Sequence, residues 1–150
     1  MAIEIERKFT LRDPKLLEGL AGEPLTQGYL GEGAMTVRVR HNNEKAWLTL
    51  KGPAVKASRP EFEYPIPLED ALQMLGLPGV ASLQKVRFRV EHKGLVYEID
   101  QYLGPLQGLY TVEVELERVG QHVELPPWAG QELTGQRAWD NDMLAKFGRP

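Results

Sequence analysis

The sequence contains no cysteine, and this excludes three kinds of chemistry. Without a thiol the chain has no disulfide, no cysteine nucleophile and no zinc–thiolate site. A cysteine-free chain is compatible with a reducing compartment, and we expect the protein to be cytoplasmic. The only three histidines, His41, His92 and His122, share no metal-ligand spacing, so we expect them at the surface without a functional role.

Neither an excess of positive charge nor a long apolar run occurs. The net charge is −3, so the molecule as a whole has no attraction for nucleic acid or for an anionic lipid surface. Its first residues are charged where a secretory signal would be apolar, and no segment approaches the length of a membrane span. We expect no nucleic-acid and no membrane partner, and any bound anion must meet locally concentrated positive charge.

The composition is that of an ordinary globular domain. Of the 150 residues, 42% are hydrophobic and 26% are charged, which argues against disorder. This length suits one folding unit with a real core, so we expect residues 1–150 to form a single domain.

The dominant pattern is an alternation of apolar and charged residues, which places successive side chains on opposite faces of a strand. The pattern predicts eight strands, at residues 2–10, 25–30, 34–41, 45–51, 61–67, 83–92, 95–102 and 109–119. Hairpin-length turns separate several of them, at Gly31-Glu32-Gly33, Asn42-Asn43 and Lys93-Gly94. We therefore expect antiparallel neighbours in a mainly β fold.

Helical patterns are few. Residues 68–75 predict a helix that ends at Gly76, and residues 14–20 allow a short one. Trp139, Met143 and Phe147 have the spacing of a helical stripe near the C-terminus, and we expect them to pack together. The basic, proline-containing segment 52–60 is expected to be a long hairpin loop or a mobile lid.

The charged face of the strands is the informative feature. Like charges recur two residues apart, with few Ser, Thr, Asn or Gln between them. The pairs and single charges are Glu4, Glu6 and Lys8; Arg38 and Arg40; Lys51; Glu61 and Glu63; Lys85, Arg87 and Arg89; Glu98 and Asp100; and Glu113, Glu115 and Glu117. A solvated sheet face with cross-strand ion pairs explains any one strand. Repulsion between like charges on most strands is better explained by a bound partner that neutralises them.

Acidic and basic pairs together are what a metal-bound polyphosphate requires. Carboxylate oxygens bind hard cations such as Mg²⁺ or Mn²⁺, while arginine and lysine bind phosphate oxygens. If about eight strands close into a barrel, the charged face could line its interior. The alternation by itself leaves open which face is inside, so the solvated sheet remains the alternative at this point.

Glu4-Ile5-Glu6-Arg7-Lys8 resembles the ExExK signature of the CYTH domain, the family of triphosphate tunnel metalloenzymes, and further blocks extend the resemblance over nearly the whole chain. In order, they are Gln27-Gly28-Tyr29-Leu30, Val37-Arg38-Val39-Arg40, Leu48-Thr49-Leu50-Lys51-Gly52, Arg59-Pro60-Glu61-Phe62-Glu63-Tyr64, Lys85-Val86-Arg87, Glu98-Ile99-Asp100 and Glu113-Val114-Glu115-Leu116. The resemblance implies a closed eight-stranded antiparallel β-barrel with a few flanking helices, its charged face inward. It also makes a homodimer possible.

The resemblance also implies roles for individual residues. The carboxylates that would bind Mg²⁺ or Mn²⁺ or line the acidic side are Glu4, Glu6, Glu61, Glu63, Asp100, Glu113 and Glu115. The residues that would hold phosphate oxygens are Lys8, Arg38, Arg40, Lys51, Arg59 and Arg87. Tyr29 and Lys85 would act together near the attacking water, although Lys85 is equally well explained as a phosphate ligand. Trp139 departs from the family pattern, which has tyrosine there, so a phosphate contact at that position is in doubt.

The implied activity is metal-dependent hydrolysis of a linear triphosphate, and inorganic tripolyphosphate is favoured because the chain is short and resembles compact bacterial members. The alternatives within the family are a nucleoside triphosphatase, a thiamine triphosphatase and a class IV adenylate cyclase. A polyphosphate-binding module without catalysis is a non-enzymatic alternative. The paired carboxylates argue against it, because a pure anion site would gain from fewer of them.

Overall fold

The computed structural model describes residues 2–31 and 33–150, so Glu32 of the first predicted turn lies outside the described residues. The strands are β1 (Ile3–Leu11), β2 (Glu23–Leu30), β3 (Thr36–His41), β4 (Ala46–Lys51), β5 (Ser58–Ile66), β6 (Ala81–His92), β7 (Leu95–Tyr102), β8 (Tyr110–Glu115) and β9 (Ala129–Glu132). The α-helices are α1 (Leu68–Leu75) and α2 (Asn141–Phe147), and short 3₁₀ turns span Pro14–Leu17, Gly104–Leu106 and Arg137–Trp139. No helix in this part of the chain is long and apolar enough to cross a membrane.

Eight strands form a closed antiparallel barrel, as predicted. The hydrogen-bonded order is β5-β4-β3-β2-β6-β7-β8-β1-β9. β1 closes the barrel by pairing with β5, with Glu4 opposite Arg59. Farther along, β1 also pairs with β9, where Phe9 faces Glu132. A single strand therefore joins both ends of the sheet, and its inward carboxylates lie at the closure.

The predicted tight turns occur where the sequence supplies residues that tolerate positive φ. Asn43 has φ of 75° between β3 and β4, and Lys93 and Gly94 have φ of 52° and 80° between β6 and β7. Glycine and asparagine adopt this left-handed region at low cost, and Lys93 adopts it next to Gly94 without such a preference. These turns make consecutive strands antiparallel neighbours.

The apolar faces of the strands point outward and are covered there by other segments. Phe9, Tyr97 and Val112 are almost fully buried in one outer cluster, against which Leu17 and Trp128 pack from the connections. Val39 and Ala46 belong to a second cluster, which Ala71 of α1 covers. The hydrophobic core therefore surrounds the barrel, and the charged faces of the strands are left for its interior.

One end of the interior is filled by apolar side chains. Leu83 and Tyr102 lie on the inward side of β6 and β7, since they alternate in phase with Lys85 and Asp100. Both belong to a cluster with Leu144 of α2. The C-terminal helix therefore plugs this end of the barrel.

Several predicted strand boundaries were wrong. β8 ends at Glu115 instead of residue 119. The apolar–charged alternation continues beyond Glu115, but its pairing with β1 ends at that residue. β9 was missed because it is only four residues long and contains Gly130. The predicted loop 52–60 is also too long, since β5 begins at Ser58 and includes Arg59.

Three smaller expectations were wrong or only partly right. The short helix allowed at residues 14–20 is a 3₁₀ helix and covers only Pro14–Leu17. Trp139 precedes α2 in a separate turn, so it packs on the cluster around Leu144, while Phe147 is 74% exposed. His41 is buried rather than at the surface, and its Nδ1 accepts a hydrogen bond of 3.1 Å from Asn43 N, which gives it a structural role in the turn.

Candidate active site

A cavity of about 300 Å³ occupies the barrel interior, at the small end of the range for ligand sites. Thirteen of the fifteen predicted site residues line it: Glu4, Glu6, Lys8, Tyr29, Arg38, Arg40, Lys51, Arg59, Glu61, Glu63, Arg87, Glu113 and Glu115. The structure thus brings together, from seven strands, side chains that are up to 111 residues apart in the sequence, as from Glu4 to Glu115. The remaining two, Lys85 and Asp100, are fully buried behind the lining.

Positive charge in the cavity is incompletely neutralised. Arg38 contacts Glu63 at 3.2 Å, yet its Nε is buried without a hydrogen-bond partner. Arg40 has no carboxylate partner among the described residues, and its Nε donates to Gln27 Oε1 at 2.9 Å. Burial, and then the nearby positive charges of Arg38 and Arg87, lower the pKa of Arg40 to about 10. An anion bound between these guanidinium groups would relieve their repulsion.

Two lysines connect the basic and acidic sides. Lys51 Nζ lies 3.0 Å from Glu4 Oε1 and 3.3 Å from Glu61 Oε2. Lys8 Nζ lies 4.0 Å from Glu113 Oε1 and donates a 2.7 Å hydrogen bond to the carbonyl oxygen of Trp139. Lys8 therefore connects the lining of the cavity to the turn that precedes α2, the helix that plugs the barrel end.

The carboxylates repel one another. Burial, with contributions from Glu61 and Glu113, raises the pKa of Glu4 to about 7 despite the opposing charge of Lys51. Burial and the charges of Glu113 and Glu4 raise the pKa of Glu6 well above its usual value. Burial alone would also raise the pKa of Glu113, but Lys8 and Arg87 lower it to about 2. The acidic side therefore has excess negative charge around Glu4 and Glu6.

The donor set fits a hard divalent cation in its chemistry. Carboxylate oxygens are the ligands that Mg²⁺ and Mn²⁺ prefer, and a cation would offset the repulsion that raises the pKa values of Glu4 and Glu6. Within residues 2–31 and 33–150, no three such side chains converge at metal-binding geometry, and Lys51 holds Glu4. Metal binding would therefore need rotation of side chains that are already within the cavity.

Lys85 and Asp100 form the buried layer beneath the cavity. Asp100 accepts two hydrogen bonds from Arg87, of 2.8 and 2.9 Å, and Lys85 Nζ lies 2.8 Å from Asp100 Oδ2 without good hydrogen-bond angles. Burial lowers the pKa of Lys85 to about 7, although Asp100 opposes this. Arg87 and then Lys85 hold the pKa of Asp100 well below its usual range, against the effect of burial. Asp100 thus orients two cations, and its contact with a metal stays a prediction.

Sequence reasoning missed several polar residues of the site. Gln27 and Thr49 are fully buried, and Thr49 donates to Glu63 at 2.8 Å and accepts from Arg38 at 3.1 Å. Their position in the alternation, in phase with Tyr29 and Lys51, could have identified them. Other missed lining residues are Glu23, Leu25, Thr36, Trp47, Asp140, Asn141 and Asp142. Arg89 and Glu98 also line the cavity, and the sequence had placed them on the charged face without a role.

Asn141 and Asp142 lie at the start of the plug helix. Asn141 Oδ1 accepts a hydrogen bond of 2.5 Å from the Tyr102 hydroxyl, and Asp142 forms an ion pair with Arg137. Neither contact could be predicted from the sequence, because each depends on how α2 packs into the end of the barrel.

Comparison with known proteins identifies the family. Residues 2–143 match the CYTH domain. A protein named inorganic triphosphatase from Acetivibrio thermocellus is 34% identical over 148 residues, which cover 97% of this chain and 95% of that protein. One with the same name from Nitrosomonas europaea is 32% identical over 150 residues, covering 95% and 96% of the two chains. The crystal structure of an inorganic triphosphatase superposes with a TM-score of 0.66 at 31% identity, covering 95% of this chain and 97% of the other. The charged cavity, the closed barrel and these matches agree, and the chain belongs to the CYTH family.

Proposed function

We propose that this protein is a triphosphatase that hydrolyses inorganic tripolyphosphate to pyrophosphate and orthophosphate in the barrel cavity. The observation that carries the proposal is the separation of unmatched charge across the cavity. Arg38 and Arg40 present positive charge without full compensation, while Glu4 and Glu6 present carboxylates that repel one another. A tripolyphosphate together with a divalent cation supplies both missing charges.

The relatives support this choice of substrate. The two curated relatives are both named inorganic triphosphatase, and each aligns over at least 95% of its own length. The cavity of about 300 Å³ is also small and strongly ionic, which suits a compact polyanion. CYTH enzymes generally depend on a divalent metal; we propose Mg²⁺ or Mn²⁺, held by Glu4, Glu6, Glu113 and Glu115, with Glu61 and Glu63 nearby.

Hydrolysis needs charge neutralisation and in-line positioning, and no protein nucleophile. A water oxygen forms a bond to the terminal phosphorus, the bridging P–O bond breaks, and pyrophosphate leaves with the electron pair of that bond. Arg38, Arg40 and Arg87 are placed to stabilise negative charge on the phosphate oxygens, with Lys8, Lys51 and Arg59 as further phosphate ligands. A bound divalent cation would neutralise phosphate charge and lower the pKa of a coordinated water.

Lys85 and Tyr29 stay the proposed catalytic pair. A pKa of about 7 would let Lys85 exchange a proton near neutral pH, which suits a base. Its complete burial beside Asp100 also suits a purely electrostatic role under the phosphate ligands. A loss of kcat in Lys85→Ala at saturating substrate supports the base, whereas a change confined to KM supports the phosphate ligand.

The test of the function is product analysis. We would incubate the protein with tripolyphosphate, and separately with ATP, in Mg²⁺ or Mn²⁺ with a chelator control. The expected result is release of orthophosphate and pyrophosphate from tripolyphosphate, faster than ATP turnover, abolished by chelation and by Glu4→Gln. Glu44→Gln is the matched control, because Glu44 is exposed in the β3–β4 turn. Cyclic AMP from ATP would indicate a cyclase, and binding without turnover would leave a polyphosphate-binding module.

Assembly and location are further proposals. The outward face of β5 exposes Phe62 and Tyr64, and Ile3 on the neighbouring β1 is also exposed. An apolar surface of this kind supports a homodimer, which light scattering after size exclusion would detect. Phe62→Glu should then produce a monomer. The cytoplasmic location stays a prediction from the cysteine-free sequence.

A further inference from the structure

A chain of buried hydrogen bonds links Arg40 to Tyr29 through Gln27. Arg40 Nε donates to Gln27 Oε1 at 2.9 Å, and Gln27 Nε2 donates to the Tyr29 hydroxyl at 2.7 Å. Gln27 is fully buried, whereas Arg40 and Tyr29 both line the cavity. Gln27 therefore contacts the site only through these two neighbours.

The chemistry of the three groups determines the direction of both bonds. The Nε of arginine is always a donor, so the oxygen of the Gln27 amide must face Arg40. The amide nitrogen then faces Tyr29, and because that nitrogen only donates, the Tyr29 oxygen must accept. The Tyr29 proton has no acceptor among the described residues and is available to a ligand oxygen in the cavity.

We propose that Gln27 is a positioning residue that holds Tyr29 as a hydrogen-bond donor to the phosphate oxygens of the substrate. This inference rests on the proposed triphosphate site and deepens it. Within the proposed catalytic pair it makes Tyr29 the donor to a phosphate oxygen and leaves proton transfer from water to Lys85. Burial also raises the pKa of Tyr29, so the phenol keeps its proton at neutral pH. Because Arg40 holds the other side of the same amide, Gln27 fixes the spacing between two phosphate donors.

Gln27→Glu reverses the second bond. A carboxylate at this position accepts from Arg40 Nε as before, but it also takes the Tyr29 proton as an acceptor, and Tyr29 can no longer donate to substrate. The variant also adds negative charge beside an anion site. Tyr29→Phe isolates the first effect, because without the hydroxyl only the charge effect of Gln27→Glu remains.

The test is a double-mutant cycle on tripolyphosphate affinity, measured by calorimetry in chelator so that turnover does not interfere. We expect Tyr29→Phe to weaken binding about tenfold, the effect of losing one hydrogen bond to a charged group. Gln27→Glu should weaken binding about tenfold more in the wild-type background than in the Tyr29→Phe background. Equal penalties in the two backgrounds overturn the inference.

Controls keep the outcomes separate. Gln84→Glu makes the same change on the exposed outer side of the neighbouring β6 and should leave affinity unchanged. If Gln27→Glu does not fold, as judged by its melting curve, Gln27→Met replaces it without adding charge. Its loss of affinity must then be smaller in the Tyr29→Phe background, where only the lost contact with Arg40 remains. If wild-type protein binds no tripolyphosphate in chelator yet hydrolyses it with Mg²⁺, the same cycle is measured on KM instead. Wild-type protein that neither binds nor hydrolyses tripolyphosphate overturns the proposed function together with this inference. Binding with equal penalties in both backgrounds overturns this inference alone.

Discussion

Replacing Asp100 with asparagine should destabilise the protein more than any exchange of a surface carboxylate. Asp100 is fully buried and neutralises both Arg87 and Lys85. Removing one partner of a buried ion pair typically costs about 3–5 kcal/mol, because the remaining charge is left uncompensated. Asparagine retains one acceptor oxygen for Arg87, so we expect a loss at the lower end of that range, about 3 kcal/mol.

The pH dependence of this loss follows from the pKa of Asp100, which is held well below its usual range by Arg87 and Lys85. A carboxylate with a depressed folded-state pKa contributes its full stability above the unfolded value of about 3.9. That contribution disappears only as the pH falls through the lower folded-state value. The part of the difference between wild type and Asp100→Asn that comes from Arg87 should therefore be constant above about pH 5 and shrink only in strong acid. The part that comes from Lys85 should also decline as the pH rises through about 7, because Lys85 loses its charge there.

Urea unfolding at pH 7, followed by circular dichroism, measures the effect. In a chain of this length, about 3 kcal/mol corresponds to a fall in melting temperature of roughly 6–12 °C. Asp70→Asn is the matched control, since Asp70 is exposed in the first turn of α1 and contributes only about 0.3–1 kcal/mol through the helix dipole. Equal losses in the two variants would refute the argument that Asp100 supports the buried layer.

Three further predictions test the cavity and the packing around it. Arg40→Gln should weaken tripolyphosphate binding by at least about tenfold in calorimetry, since it removes a charged donor. It should lower the melting temperature little, because the positive charge of Arg40 beside Arg38 and Arg87 is itself unfavourable. A large loss of stability with unchanged affinity would contradict this prediction. Mg²⁺ affinity should rise as the pH increases through about 7, because Glu4 must lose its proton to bind the metal. Titration calorimetry should therefore give a higher Mg²⁺ affinity at pH 8 than at pH 6, and equal affinities would contradict the raised pKa of Glu4. Gly28→Ala should lower the free energy of unfolding by about 1 kcal/mol, the low end for overpacking, because the added Cβ would lie 2.5 Å from Leu75 Cδ2 and 2.9 Å from Val80 Cγ1, two half-buried side chains that can shift. Gly76→Ala, where the nearest atom would be 3.6 Å away, should change the free energy of unfolding by less than about 0.5 kcal/mol.

Much of the barrel could be predicted because strand alternation is a local property. Glu4, Glu6 and Lys8 share a face whatever lies beside the strand, and the turns at Asn43 and Lys93 make antiparallel neighbours almost unavoidable. Strand ends were less predictable, since the extent of pairing depends on the partner. Nothing local in Ala129–Glu132 indicates that β1 has a free edge for it.

The candidate site was likewise only partly predictable from the sequence. The alternation and the family resemblance predicted thirteen side chains that line the cavity, and both depend only on residue types and their order. They did not predict that Lys85 and Asp100 would lie behind the lining, because burial depends on the plug of Leu83, Tyr102 and Leu144 that closes the barrel end. The role of Gln27 could not be predicted either, because it depends on a contact with Arg40 on the neighbouring strand β3.

The sequence by itself determined which side chains share a face, because the backbone of a strand turns each successive residue to the opposite side. The alternation left the inner face open and the family resemblance implied the charged one, but only the tertiary structure shows why the charged face is inward. That choice depends on whether other segments can cover the apolar face from outside, and here α1 and the connections around Leu17 and Trp128 do so. With the apolar side chains buried outside, closure of β1 on β5 concentrates the like charges within one cavity, where ion pairs within the chain neutralise them only in part.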